Sequence, residues 1–210
     1  MRVVVKIGGS LIDHGREIID HLAYYSSASG SEIIVVPGGG PFSDVVRKHS
    51  DDLTLDTAHW MAILAMNQFG LFLSDRTKSK VIESFDQLGE GVLILLPYKL
   101  LKEIDPLPHS WRVTSDTIAA WVAVQLEAEL IKVTDVDGIY MDGSLMDEIA
   151  AKDLLDTTTC VDVELPRFLM DEKMNCSIVN GKYPDRITNA IEKKRFIGTV
   201  VIGSKDFIKL

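Results

Sequence analysis

Short apolar runs alternate with stretches of helical periodicity along most of the chain. Residues 3–5 and 32–36 are rich in Val and Ile, which predicts strands buried on both faces of a sheet. Apolar residues that recur every three to four positions predict helices between the strands. Because strands alternate with helices, we predict an α/β fold, a three-layer αβα sandwich with a mostly parallel central sheet.

The same hydrophobic pattern predicts the remaining strands and helices. Further strands are predicted at residues 92–96, 129–134, 176–179 and 198–203, and helices at residues 11–25, 42–49, 53–73, 118–126 and 183–196. Residues 78–88 fit a short strand or a short helix, and residues 100–108 predict a proline-bearing loop. The helix at 53–73 is apolar over much of its circumference, so it is either central in the fold or part of an interface. We expect a homodimer or a higher homo-oligomer.

Length and charge narrow the class of protein. The chain has 210 residues, which suits a single domain, and a net charge of −9, which argues against a general nucleic-acid binder or a polybasic membrane surface. Cys160 and Cys176 are too few for a disulfide framework and lack metal-ligand spacing. No leader pattern and no membrane-spanning apolar run is evident, so we expect a cytoplasmic protein without membrane or nucleic-acid partners.

Two predicted strands end in glycines and lead into helices. Gly8, Gly9 and Ser10 follow the first strand, and Lys6 stands at its end. Backbone N–H groups at such a junction suit a phosphate, although a buried strand with an ordinary glycine turn explains these residues equally well. The second junction is Gly38-Gly39-Gly40, where a ligand can lie directly on the backbone. In a parallel sheet both junctions open at the same carboxyl edge, where α/β folds bind ligands.

Two later segments carry further candidate chemistry. Thr114-Ser115-Asp116 begins a predicted helix. The loop from Thr134 to Tyr140 contains Asp135, Asp137 and Gly138 directly after a strand. These aspartates could hold a magnesium ion or a ribose hydroxyl, but taken alone they fit a self-contained turn better.

The four segments together resemble the amino acid kinase family. Neither a Gly-x-x-x-x-Gly-Lys-Ser/Thr loop nor a Gly-x-Gly-x-x-Gly fingerprint follows a strand. The ordered set of Lys6 with its glycines, the triple glycine, Asp116 and the Thr134–Tyr140 loop is similar to that family from residue 1 to about 140. The likeness resumes at residues 178–181 and 198–199. It implies an ATP- and Mg²⁺-dependent kinase whose acceptor-binding half spans about 1–125 and whose nucleotide-binding half spans about 126–210.

The resemblance also implies residue roles. Lys6 and Asp116 would be catalytic, with Asp116 orienting Lys6. The ATP-binding residues would be Lys6, Gly8, Gly9, Ser10, Thr134, Asp135, Asp137, Gly138 and Tyr140. The acceptor would contact Gly38, Gly39, Gly40, His109 and Arg112, with Arg47 and Lys48 as further candidate cations. Many relatives carry a second catalytic lysine before the strand at residue 178, where this chain offers only Arg167 and Lys173.

The acceptor is suggested by two aromatic segments. Ala58-His59-Trp60-Met61-Ala62 and His109-Ser110-Trp111 look most like the small kinases that phosphorylate [5-(aminomethyl)furan-3-yl]methyl phosphate in methanofuran biosynthesis. His109 and Trp111 also fit simple loop packing, and Arg112 also fits a solvated loop position. Uridylate and isopentenyl phosphate kinases remain alternatives, as does a non-catalytic nucleotide-binding storage or regulatory protein of the same fold.

Overall fold

A single eight-stranded sheet runs through the molecule. The computed structural model describes residues 1–203. Its strands are β1 (Arg2–Ile7), β2 (Glu32–Pro37), β3 (Lys80–Ile82), β4 (Val92–Leu95), β5 (Glu129–Thr134), β6 (Tyr140–Met141), β7 (Ser144–Leu145), β8 (Glu148–Ala150), β9 (Asn175–Asn180) and β10 (Gly198–Ile202). Its α-helices are α1 (Gly15–Ser29), α2 (Gly40–Lys48), α3 (Leu55–Ser74), α4 (Pro97–Ile104), α5 (Ser115–Gln125), α6 (Leu165–Asp171) and α7 (Pro184–Ile191).

The sheet order places β1 at the centre. The order is β3-β4-β2-β1-β5-β9-β10-β8, and β6 pairs with β7 in a separate hairpin. Only β9 and β10 pair antiparallel within the large sheet of residues 1–203. The prediction of a mostly parallel α/β sheet is therefore confirmed. Because β1, β2 and β5 are parallel neighbours, the loops that follow them meet at one edge.

Apolar side chains fill both faces of the sheet. One core lies between the sheet and helices α4, α5 and α6, and the other lies beneath α1 and α7. Helix α3 contributes Ile63 and Met66 to the first core and Phe69 and Leu73 to the second. It is therefore central to the fold, as one of the two interpretations of residues 53–73 predicted.

Some predicted boundaries are wrong. The first helix begins at Gly15 rather than at Leu11, because a 3-10 turn over Gly9–Leu11 intervenes. Gly15 has no room for a side chain, since a Cβ there would lie 2.3 Å from Leu73 Cδ2 of α3. The segment from 100 to 108 is not all loop, because α4 begins at Pro97, whose fixed φ suits a first helical position, and runs to Ile104.

One further helix is shorter than predicted, and several short elements were not predicted. The last helix stops at Ile191 instead of reaching residue 196. The uncertain segment at 78–88 contains the edge strand β3 and a 3-10 turn. The hairpin β6–β7 and the three-residue strand β8 were not predicted, because elements of two or three residues are too short to display a period. Within residues 1–203, no helix is both long and apolar enough to span a membrane.

Candidate functional site

The two glycine junctions touch each other at the carboxyl edge of the sheet. The N–H of Gly38 donates to the carbonyl of Ile7 at 2.8 Å. A Cβ on Gly9 would lie 2.2 Å from the Cα of Gly40, so the backbones pack directly against each other. Gly40 has a φ of +55°, a conformation that glycine adopts readily. The predicted junctions therefore form one continuous backbone surface.

Not every glycine amide of this surface is free. The N–H of Gly8 donates to the carbonyl of Val133 on β5 at 2.8 Å. It therefore links the end of β1 to β5 and is unavailable to a ligand. The N–H groups of Gly9 and Gly39 form no hydrogen bond with residues 1–203. Since buried or partly buried amides normally find partners, these two are the donors that an anion would engage.

A buried carboxylate between two lysines lies beneath the glycine surface. Asp116 begins the first turn of α5, and its Oδ1 is 2.8 Å from Nζ of Lys6 on β1. Its Oδ2 accepts a short hydrogen bond from Nζ of Lys132 on β5. All three residues are at most 6% exposed. Lys6 and Lys132 are direct neighbours in the β1–β5 register, so the sheet itself sets the spacing of the two ammonium groups.

Burial and charge act against each other in this triad. Burial alone would raise the pKa of the Asp116 carboxyl, but the ammonium groups of Lys132 and Lys6 outweigh it and hold that pKa well below its usual range. Burial lowers the pKa of Lys6 despite the attraction of Asp116. The pKa of Lys132 is raised, because Asp116 more than offsets the burial of that ammonium.

The contact to Lys6 is looser than the contact to Lys132. Oδ1 of Asp116 receives no well-aligned hydrogen bond from residues 1–203, although Lys6 is within ion-pair distance. Oδ2 of Asp116 accepts from both Lys132 and the N–H of Asp162. Lys6 Nζ also lies 3.8 Å from the position of a Cβ on Gly8, so its ammonium is next to the first glycine loop.

Asp162 fixes the start of α5 and was missed in the sequence. Its carboxylate accepts hydrogen bonds from the backbone N–H and the hydroxyl of both Thr114 and Thr117, at 2.7 to 3.1 Å. It also accepts the N–H of Leu165 at the start of α6 at 2.8 Å. One side chain thus caps two helices and locates Asp116, and a lone Asp in an irregular segment gives no sequence signal of this.

The two aspartates of the predicted nucleotide loop have different hydrogen-bond partners. Ser10 Oγ donates to Asp135 Oδ1 at 2.8 Å, and this bond lowers the pKa of Asp135 and joins the loops after β1 and β5. Asp137 accepts from Asn180 at 3.0 Å and Arg186 at 2.6 Å, which lowers its pKa. Asp137 therefore ties the loop to the end of β9 and to α7, rather than holding a self-contained turn.

The rest of this loop presents its backbone and one aromatic ring. A Cβ on Gly138 would lie 2.4 Å from Oγ1 of Thr199, so only glycine fits there. Thr134 is buried and donates weakly to Asp135 at 3.3 Å. Tyr140 is 51% exposed at the start of the β6–β7 hairpin. Of these three residues, Tyr140 alone is exposed.

A cleft of about 540 Å³ opens on the other side of the glycine surface. Its lining includes Gly9, Gly39, Arg47, His59, Trp111 and Ser115. The Arg47 guanidinium lies 5.6 Å from the centre of the Trp111 ring and 3.1 Å from Asp44 Oδ1. Among the lining residues of the described chain, Arg47 is the only Lys or Arg. The cleft thus has a mixed polar and apolar lining, with one Arg, one Asp and two glycine loops on its wall.

His109 and Arg112 lie outside the cleft lining. Nδ1 of His109 is 2.7 Å from Asp56 and Nε2 is 2.9 Å from Asp105; these contacts raise its pKa. Arg112 lies 3.6 Å from Glu164 and 3.9 Å from Asp156. His59, which does line the cleft, stacks on His109 with ring centres 4.1 Å apart. Burial and His109 lower the pKa of His59 to about 4.

The alternative cations at the second-lysine position are also remote from the triad. Arg167 is exposed and 3.8 Å from Glu164, and Lys173 is exposed after α6. Neither contacts Lys6, Asp116 or Lys132 in the described chain. The second buried ammonium is instead Lys132, which lies in the predicted strand at 129–134.

Known proteins resemble this chain in sequence over most of its length. The family model of the amino acid kinase family matches residues 1–93 and 75–179. A [5-(aminomethyl)furan-3-yl]methyl phosphate kinase from Methanocaldococcus jannaschii is 35% identical over 95% of this chain and 97% of its own length. A uridylate kinase from Thermofilum pendens is 24% identical, covering 94% of this chain and 96% of its own.

Solved structures share the fold. A uridylate kinase from Archaeoglobus fulgidus superposes with a TM-score of 0.72 at 21% identity, covering 96% of this chain and 100% of that one. A UMP kinase from Ureaplasma parvum has a TM-score of 0.69 at 20% identity, covering 96% and 99% of the two chains. These likenesses extend over nearly the whole molecule.

The contact between the glycine loops gives a stability prediction. Gly9→Ala would place a methyl group against the backbone of Gly40, so we expect the free energy of unfolding to fall by about 1–3 kcal/mol. Gly89→Ala is the matched control, because a Cβ there meets nothing within 4 Å, and it should change stability by less than about 1 kcal/mol. Urea titration measures both. Equal stability of the two variants would contradict the loop contact.

Proposed function

The chain belongs to the amino acid kinase family, and from that premise we propose that it transfers the terminal phosphoryl group of ATP to a small phosphate monoester. We propose [5-(aminomethyl)furan-3-yl]methyl phosphate as the acceptor, with its diphosphate as the product. The observation that carries the proposal is the buried Lys6–Asp116–Lys132 triad beneath two contacting glycine loops. Phosphoryl transfer demands chiefly positioning and charge neutralisation, which this arrangement supplies without a protein nucleophile.

The three triad residues take different roles in this proposal. Lys6 would leave its loose contact with Asp116 and bind the transferred phosphoryl group, together with the free N–H of Gly9. Lys132 would supply the second positive charge from beneath, held by the same carboxylate. Asp116 is a positioning residue, because it keeps the two like charges close enough to act on one phosphoryl group.

The loop after β5 fits the nucleotide. Mg²⁺–ATP supplies the phosphoryl group and neutralises part of its charge when bound. Asp135, hydrogen-bonded to Ser10 beside the glycines, offers a carboxylate of the kind that Mg²⁺ uses alongside phosphate oxygens. Thr134, Asp137, Gly138 and Tyr140 would shape the nucleotide surface, with Asp137 acting through Arg186 and Asn180.

The cleft fits the acceptor. Gly38, Gly39 and Gly40 would hold the acceptor phosphate through the backbone, and Arg47, which lines the same cleft, would bind that phosphate with a planar guanidinium fork. Trp111 offers a face to a flat ring, and Asp44 offers a carboxylate to an ammonium group. The relative at 35% identity supports the furan phosphate as the acceptor. Roles for His109 and Arg112 in acceptor binding stay predictions.

A uridylate kinase is the second candidate, because a relative and two structural neighbours carry that name. Initial rates of ADP release separate the candidates when the furan phosphate, UMP, isopentenyl phosphate and N-acetylglutamate are compared. We expect the highest kcat/KM with the furan phosphate. Turnover of N-acetylglutamate alone would overturn the phosphate acceptor, and ATP binding without turnover of any acceptor would favour a non-catalytic protein.

The role of Lys132 gives a kinetic prediction. Lys132→Met should lower kcat by about 10²-fold or more, because one charge contact to the transition state is lost. Lys173→Met is the matched control and should retain nearly all activity, since Lys173 is exposed and makes no contact with the triad. Circular dichroism confirms that both variants fold. Equal losses of kcat in the two variants would contradict a specific role of Lys132 in phosphoryl transfer.

The acceptor side gives a second kinetic prediction. Arg47→Ala should raise KM for the acceptor by roughly 10-fold or more, the loss expected for hydrogen bonds to a charged group, and leave KM for ATP nearly unchanged. Arg112→Ala, whose guanidinium faces Glu164 and Asp156, should have a smaller effect. Steady-state rates with each substrate varied in turn measure both. A larger rise of the acceptor KM in Arg112→Ala would indicate that Arg112, rather than Arg47, contacts the acceptor phosphate.

We also propose that α3 forms a homodimer interface. Met61, Leu64 and Leu71 lie three and seven residues apart on one stripe and are 38%, 41% and 53% exposed. Leu64→Glu should therefore shift the chain to a monomer, whereas Tyr24→Glu on the exposed face of α1 should not. Light scattering at micromolar concentration tests this. A monomeric unmodified chain would contradict the interface.

A further inference from the structure

We propose that His59, Asp105 and His109 bind one divalent transition-metal ion, of the Zn²⁺ or Co²⁺ class, at the rim of the acceptor cleft. One potential ligand atom from each residue lies within 4.8 Å of those of the other two. The three side chains come from α3, from the end of α4 and from the loop before α5. The proposal does not depend on the substrate of the kinase.

The chemistry of the donors favours a transition metal. Two imidazole nitrogens and one carboxylate oxygen are the ligands of open zinc sites, which keep a fourth position for water or another ligand. Mg²⁺ prefers oxygen ligands, so Mg²⁺ supplied with ATP should not compete effectively. The carboxylates of Asp56 and Asp105 outnumber the nearby ammonium of Lys102, which lies 4.0 Å above the Trp60 ring.

Asp56 contacts the ring nitrogen of His109 that does not face Asp105. It lies 2.7 Å from Nδ1 of His109, while Nε2 of the same ring faces Asp105 at 2.9 Å. A carboxylate that accepts one ring N–H fixes the tautomer and leaves the other nitrogen free for a metal. The ion would take the place of the proton between Nε2 and Asp105, and that proton would be released to water.

Binding requires the His59 ring to turn. It stacks on the His109 ring with centres 4.1 Å apart, and stacked rings do not aim their nitrogen lone pairs at one ion. Tetrahedral ligands about 2.1 Å from zinc stand roughly 3.4 Å apart, so His109 and Asp105 would separate by about 0.5 Å. His59 makes ring contacts but no hydrogen bond with residues 1–203, so its ring nitrogens are free to bind the ion. Among the three ligands, His59 lines the cleft, so the ion would lie next to that space.

Cobalt titration of the untagged, chelator-stripped chain tests the site. We expect one Co²⁺ per chain, with the visible absorption of a four-coordinate ion and a matching metal content by mass spectrometry. His109→Gln and Asp105→Asn should abolish this binding, and Asp56→Asn should weaken it by about 10–100-fold. His49→Gln is the matched control, because His49 is exposed and outside the cluster.

Thermal unfolding provides an independent readout. Zn²⁺ should raise the Tm of the unmodified chain and of His49→Gln, but not that of Asp105→Asn. Substitution of the exposed Asp105 keeps the test valid if His109→Gln does not fold. The proposal is overturned if the unmodified chain shows no saturable Co²⁺ binding, or if Asp105→Asn binds as tightly. In either case His109 is simply an imidazolium between two carboxylates.

Discussion

The carboxylate of Asp116 is the contact on which the site depends. Two ammonium groups on adjacent central strands would repel each other strongly in a buried environment without it. Asp116 lowers that repulsion and binds the two lysines unequally, with Lys132 tightly held and Lys6 in looser contact. The arrangement thus holds two positive charges close together on one buried carboxylate.

The remainder of the fold keeps this contact in place. Asp162 caps the start of α5 and so sets the position of Asp116, while the β1–β5 register sets the positions of Lys6 and Lys132. The glycine loops then pack without side chains between them, and the N–H groups of Gly9 and Gly39 form no hydrogen bond with residues 1–203. Position is therefore determined by backbone pairing and helix capping, which are rigid, rather than by long side chains.

The strands and the glycine loops are easier to predict from the sequence than the charged residues of the site are. The apolar runs of β1, β2 and β5 and the glycines after them correctly indicate a shared edge, because these signals are local. Lys132 was missed because its partner Lys6 is 126 residues away and only the β1–β5 pairing joins them. A lysine inside an otherwise apolar strand was the available signal. Arg47 was only one of several cations in the sequence, and the cleft distinguishes it from Arg112.

A double-mutant cycle on kcat tests the shared carboxylate most directly. Asp116→Asn, Lys132→Met and the double variant are compared with the unmodified chain under saturating ATP and acceptor. If Asp116 acts by holding the lysines, the losses are strongly non-additive, and the double variant is about as slow as the slower single variant. Losses that multiply would show that Asp116 and Lys132 act independently, which would contradict the triad as the unit that binds the phosphoryl group.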